Sequence, residues 1–261
     1  MTKFDKNEQT PLAELRDISK RYGGVVALDD ISLAIHSGEI IGLVGDNGAG
    51  KSTLIKVISG ACRPDSGKIF FEGDLVHMHN PRSAKDLGIE TVYQGLALVD
   101  TLDVPGNIFL GREITRFGLG PLGVLHKSRM IREAKKILQR IGVPLDALRT
   151  EVGLLSGGQR RGVAISRAIF TEPKLVILDE PTASLAVREV EHVLNLIQNL
   201  RAQHVVLIFI SHVLQEIFAV TNRIVVLRKG RMVADLVTEE TSIDAVVHYM
   251  IGQIDEDKTR S

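Results

Sequence analysis

Apolar residues in this chain fall into two rhythms. Short unbroken runs, Ile40-Ile41-Gly42-Leu43-Val44, Leu175-Val176-Ile177-Leu178 and Val205-Val206-Leu207-Ile208-Phe209-Ile210, read as strands buried on both faces. Longer stretches repeat every three to four residues. Lys127 to Ile141 and Arg188 to Gln203 do so, the latter with Val190, Val193, Leu194 and Ile197 on one predicted face. Near the N-terminus, Leu12 to Ile18 and Val25 to Ile35 pattern as strands around a Gly23-Gly24 turn. The turn Arg63 to Gly67 leads into a strand over Lys68 to Phe71. A short helix over Pro81 to Leu87 then precedes a strand over Ile89 to Tyr93. Leu214 to Val220 predicts a helix. Lys229-Gly230 marks a hairpin between Arg223–Leu227 and Arg231–Leu236, and Ser242 caps a last helix with Asp244 in its first turn. Buried strands alternating with helices predict an α/β fold, a mostly parallel central sheet covered on both faces. From Gly95 to Gly157 the pattern turns helical, with periodicity in Val104 to Leu110, and this segment reads as an insertion. Its Arg116 to Gly123 stretch is rich in glycine and proline and reads as a mobile loop.

Composition narrows the classes. The 32 basic and 32 acidic residues balance, which argues against broad nucleic-acid binding, and four percent aromatics offer little for base stacking. The longest apolar runs are too short to span a bilayer, and Met1 to Thr10 is polar with no signal pattern, so the expectation is a cytosolic protein. One cysteine, Cys62, excludes an internal disulfide; it is expected to pack on the helix after residue 52.

Candidate chemistry starts at Gly45-Asp46-Asn47-Gly48-Ala49-Gly50-Lys51-Ser52, a G-x-x-x-x-G-K-S segment between a strand and a helix that begins with Thr53. Small residues let backbone N–H groups turn inward as an anion nest, and the following helix adds its positive end. This is a P-loop: Lys51 would reach the outer phosphates of a nucleoside triphosphate and Ser52 would offer a hydroxyl to Mg²⁺. At the end of the 175–178 strand stand Asp179 and Glu180, where α/β sheets bind ligands. Asp179 would hold Mg²⁺, and Glu180 would orient or deprotonate an attacking water. Alone, such a pair could be an ordinary strand end. Leu155-Ser156-Gly157-Gly158-Gln159 is a second exposed helix start, with a Ser cap and two glycines. One nucleotide does not need two such starts in one subunit, so the second is expected to address a nucleotide held by another copy.

In this order and spacing, Gly45–Ser52, Leu155–Gln159 and Leu175–Glu180 resemble the nucleotide-binding domain of an ATP-binding-cassette (ABC) protein, over about Leu12 to Gly252. The resemblance implies a P-loop NTPase fold of one domain, residues 1–261. It has a flexible arm 1–11 and a tail 253–261. Segments 12–94 and 158–252 form a RecA-like core with an N-terminal antiparallel β subdomain, and 95–157 form a helical subdomain ending at the signature. It implies ATP and Mg²⁺. Tyr22 matches the aromatic that stacks on adenine. Gln94 matches the glutamine that contacts Mg²⁺ or water. His212, just past the 205–210 strand, matches the histidine that holds the γ-phosphate and positions Glu180. Lys51 to Thr53 would hold phosphate, and Ser156, Gly157, Gly158 and Gln159 would close on the ATP of the opposing subunit. Two positions depart from the common pattern: Ala186 stands where many cassettes have aspartate, and Arg160-Arg161-Gly162 follows the signature.

Gln94 to Asp100 and Asn107 to Glu113 resemble importers of simple sugars of the fructose or ribose type. The expectation is a homodimer working with multi-span membrane permease subunits and, indirectly, a solute-binding protein. It would sit peripherally on the cytoplasmic face of the inner membrane and bind no nucleic acid. An ATPase subunit for another solute (amino-acid import or export) and a soluble non-transport cassette are the alternatives.

Overall fold

A computed structural model describes residues 10–116, 123–143, 148–203 and 205–253. Most of the expected arm, most of the 116–123 loop and nearly all of the tail lie outside these described residues.

The chain opens with β1 (Ala13–Tyr22) and β2 (Val25–Ile35), which pair antiparallel. With β4 (Ser66–Phe71) and β5 (Asp74–Val76) they form a four-stranded antiparallel sheet ordered β2-β1-β4-β5. The central sheet has six strands. It contains β3 (Ile40–Val44), β6 (Ile89–Val92), β9 (Leu175–Asp179), β10 (Val206–Ile210), β11 (Arg223–Arg228) and β12 (Arg231–Val237), in the order β12-β11-β3-β10-β9-β6. All its neighbours run parallel except the β11–β12 hairpin at one edge. The α/β expectation of a mostly parallel sheet is met.

Strand alternation explains why the runs are unbroken. Ile40, Val44, Val176, Leu178, Leu207 and Phe209 join the core on one face, while Ile41, Leu43, Leu175, Ile177, Ile208 and Ile210 join the core on the other. The second core takes in the antiparallel sheet, α1 (Lys51–Ile58) and α2 (Pro81–Asp86). The first takes in α3 (Val104–Ile108), α4 (Lys127–Ile141), α5 (Gly157–Ile169), α6 (Val187–Ala202), α7 (Leu214–Val220) and α8 (Ile243–Ile251). Between α3 and α4 lie the two-residue strands β7 (Thr115–Arg116) and β8 (Val124–Leu125).

Three expectations shift. On α6 the buried seam is Val193, Leu196, Ile197 and Leu200, with Val190 and Leu194 only half-buried. The first strand continues past Ile18 to Tyr22, and its register with β2 slips three times on the way. Cys62 is not on a helix. α1 stops at Ile58 because Gly60 turns left-handed (φ +70°) under the carbonyl of Asn80, 2.6 Å from where a Cβ would sit, and Cys62 lies half-buried in the bend beyond.

One buried ionic cluster ties the hairpin to the sheets. Arg223 donates to both oxygens of Glu39 at 3.0 Å, to Asp235 at 2.6 and 2.7 Å, and to the Ala34 carbonyl at 2.8 Å.

Candidate nucleotide site

β3 delivers the P-loop at its C-terminal end, between β10 and β11. Gly45 (φ +149°) lies against the Leu227 carbonyl, and a Cβ on Gly50 (φ +109°) would come within 2.7 Å of the Ala27 carbonyl. These two positions admit only glycine without strain. Gly50 is the N-cap of α1 and brings no side-chain acceptor, so the first amides of α1 are left uncapped by it. The result is a recess of about 280 Å³ lined by Asp46 to Thr53, by Glu180 and by Val25, Val26 and Ala27 of β2. Sequence reasoning missed the β2 contribution. The exposure of Val25 (67%), large for a valine in a strand, marks it only once the fold is known.

Lys51 folds back on its own loop, donating to the Gly45 carbonyl and to the Asp46 carbonyl at 3.0 Å. Burial lowers its pKa, against the opposing pull of Glu180, Asp46 and Asp179. Asp179, the last residue of β9, is the counterpart. Burial raises its pKa, Glu180 adds to the rise, and Lys51 and Lys56 oppose it. A half-buried carboxylate facing a second carboxylate is a place where a cation stabilises.

Glu180 joins the remaining groups. It sits in the left-handed region (φ +48°), an uncommon backbone for this residue, held by its N–H donating to the Ile210 carbonyl at 3.0 Å. The Gln94 amide donates to its Oε2 at 3.3 Å, and His212 Nδ1 stands 3.8 Å from its Oε1. Gln94, Glu180 and His212 therefore meet although they lie far apart in sequence.

What aims Glu180 and His212 is Glu216, on α7 and 8% exposed. Its Oε2 accepts from the Thr182 hydroxyl at 2.6 Å and from the Ser211 hydroxyl at 2.7 Å. One carboxylate thus fastens the loop after Glu180 to the loop that carries His212. Sequence reasoning passed over it because an acidic residue early in a helix reads as solvent-facing.

Two groups of predicted residues stand apart. Tyr22 ends β1, 48% exposed; its hydroxyl is 3.2 Å from Cys62 Sγ, and it is not among the residues lining the P-loop recess. Ser156, Gly158 and Gln159 line a different hollow with Gly142, Val143 and Glu189. There Ser156 caps α5 in a reciprocal box: Gln159 N donates to its Oγ at 3.3 Å, and Ser156 N donates to Gln159 Oε1 at 3.1 Å. The unusual Arg161-Gly162 pair now has a reason. Arg161 reaches the Ala183 carbonyl in the loop after Glu180, and a Cβ at Gly162 would sit 2.8 Å from Val143 Cγ1.

A family model described as "ABC transporter" matches residues 28–183, more than half of the chain. The chain belongs to the ABC transporter family. The xylose/arabinose import ATP-binding protein XylG of Sulfolobus acidocaldarius is 42% identical over 92% of this cassette and 93% of its own length. The fructose import ATP-binding protein FrcA of Rhizobium meliloti is 41% identical, over 94% and 95%. Against the ribose import ATP-binding protein RbsA 1 of Burkholderia ambifaria, also 41% identical, the cassette spans about half, 47%, of the relative's length. Among solved structures, the ADP conformation of MJ1267, an ATP-binding cassette of an ABC transporter, superposes with a TM-score of 0.76 at 27% identity, covering 92% of this cassette and 98% of that chain. As an ABC ATPase the cassette binds ATP. Among the described residues no helix is long and apolar enough to cross a membrane.

Proposed function

We propose that this cassette is the ATP-hydrolysing subunit of an importer of simple sugars. The observation that carries the reading is its likeness along nearly full length to two sugar-import ATP-binding proteins, at 42% and 41% identity. The P-loop amides, Lys51, Ser52 and Thr53 bind the triphosphate, and Tyr22 stacks on adenine. Tyr22 pairs across β1–β2 with Val25, which lines the recess. Ser52, Asp179 and Gln94 hold Mg²⁺. The donors are hard oxygens, and no group of three or more His, Cys, Asp or Glu side chains among the described residues forms a protein-only cage. That suits a cation completed by phosphate and water. Mg²⁺ supplies charge neutralisation on the phosphates.

Glu180 takes the proton of the attacking water or orients it, and His212 contacts the γ-phosphate and steadies Glu180. Ser156, Gly157, Gly158 and Gln159 complete the site of a second copy, so two cassettes clamp two ATP molecules, and loss of the γ-phosphate lets them part. Closing and opening drive multi-span permease subunits, which receive sugar from a solute-binding protein. The cassette lies on the cytoplasmic face of the inner membrane and touches neither sugar nor nucleic acid.

The test is the Glu180→Gln chain. It is expected to bind ATP while turnover falls at least a hundredfold, about 2.7 kcal/mol of barrier. Tagged and held with ATP, it is expected to co-purify from its native membranes with a multi-span permease and a sugar-binding protein. Turnover equal to the unaltered chain refutes the role of Glu180. Recovery with an amino-acid-binding protein refutes the sugar.

A further inference from the structure

The signature segment already holds an anion of its own. Gly158 N donates to Glu189 Oε1 at 3.1 Å, and the Ser156 side chain, which caps the same helix, adds to the pull that stabilises this carboxylate. The other oxygen, Oε2, accepts from Ala186 N at 3.3 Å. Glu189 belongs to α6, so one half-buried carboxylate bridges the N-termini of two helices. Ala186 supplies no capping oxygen to α6, which leaves that duty to Glu189 as well. The bonds from Gly158, then Ser156, then Ala186 hold the Glu189 pKa below the usual carboxylate range, so the group is anionic at neutral pH.

A carboxylate at a helix start satisfies the same donors that a phosphate would. The Gly158 N–H that Glu189 engages belongs to the segment assigned above to the γ-phosphate of the ATP on the opposing copy, and the inference rests on that reading. Two anions on one amide repel, and a single N–H cannot serve both. We propose that Glu189 is a positioning residue that occupies the signature as an internal anion in the open cassette and gives way to the γ-phosphate when two cassettes close. A place for the displaced carboxylate lies beside it. The Arg161 guanidinium, which donates to the Ala183 carbonyl, lies within the field of the Glu189 charge, and its Nε is buried without a hydrogen-bond partner. Turning from Gly158 toward Arg161 would give Glu189 a cationic partner, the unpartnered Nε included, while the signature is vacated.

The experiment uses the Glu180→Gln chain, in which hydrolysis is stalled, and follows dimer formation by light scattering across an ATP series. Adding Glu189→Gln keeps the shape and removes the charge. The ATP concentration at half-dimerisation is expected to fall about two- to tenfold, the weight of one charge at a helix start. ADP affinity, which involves no γ-phosphate, is expected to stay within about twofold. A purely structural Glu189 would lower the melting temperature without lowering the ATP midpoint. An unchanged or raised midpoint therefore overturns the inference while leaving the composite site standing. If Glu180→Gln forms no dimer at saturating ATP, the composite site fails and the inference falls with it. Should Glu189→Gln not fold, the Glu189 carboxyl ¹³C resonance in the Glu180→Gln chain decides. It is expected to move with ATP and not with ADP, and a resonance indifferent to ATP overturns the inference.

Discussion

Replacing Glu216 by leucine separates the geometry of Glu180 and His212 from the groups themselves. In the intact cassette Glu216 Oε2 accepts two short bonds, from Thr182 at 2.6 Å and Ser211 at 2.7 Å, with all three residues buried. Hydrogen bonds to a charged group contribute about 1.5–3 kcal/mol each, and a buried hydroxyl left unmade costs about 1–3 kcal/mol. Ser211 keeps one partner, since Val213 N donates to its Oγ at 3.0 Å. The leucine also relieves the burial of a carboxylate, so the net loss is set at about 2–4 kcal/mol. Urea unfolding of the nucleotide-free chain measures it. With Thr182 and Ser211 unfastened, the loops carrying Glu180 and His212 lose their common anchor, and kcat is expected to fall about ten- to a hundredfold. KM for ATP should change little, because the bonds Glu216 accepts come from Thr182 and Ser211, outside the P-loop. The double substitution Thr182→Val, Ser211→Ala, added to Glu216→Leu, removes the orphaned hydroxyls and is expected to recover part of the stability but none of the rate. A Glu216→Leu chain with kcat within twofold of the unaltered one refutes the positioning argument.

Two further outcomes follow from the same geometry. Asp179→Asn is expected to raise the melting temperature of the nucleotide-free cassette at pH 7 while removing Mg²⁺-dependent turnover. Burial raises the Asp179 pKa, so the folded state takes up its proton more readily than the unfolded. The penalty is therefore present above the raised value and fades as pH falls below the usual carboxylate range, where the two melting temperatures should converge. Gly162→Ala places a Cβ 2.8 Å from Val143 Cγ1. Chemical denaturation should show a loss of about 1–3 kcal/mol, and Val143→Ala in the same chain should restore most of it.

Much of this fold is written in periodicity, and what is not has physical reasons. β3, β9 and β10 announce themselves because strands buried on both faces allow no polar interruption. β5, β7 and β8 span two or three residues, too few to show a period. Strand order is silent in the sequence: nothing in Ile40–Val44 says that its neighbours lie in residues 206–210 and 223–228. The site divides the same way. The P-loop, Asp179-Glu180 and the signature are contiguous, so spacing reveals them. Glu216 and Glu189 act on segments that only folding brings near, and on the helix pattern each reads as one more charged residue on a wet face. The misplaced end of α1 was legible in principle, in the Ser59-Gly60 pair.

The pairing of β3 carries a consequence for synthesis. The strand that delivers the P-loop has as its hydrogen-bonded neighbours β10 and β11, and the loop is closed from behind when Gly230 N donates to the Ala49 carbonyl and Asp29 N to the Gly230 carbonyl. Gly45 is shaped by Leu227. A nascent chain therefore displays the glycine-rich motif after some fifty residues, but the contacts that back its loop are complete only once about residue 230 has left the ribosome. By mass action ATP stabilises the completed fold more than any stage lacking that backing, so the ligand that powers the cassette also favours its completion.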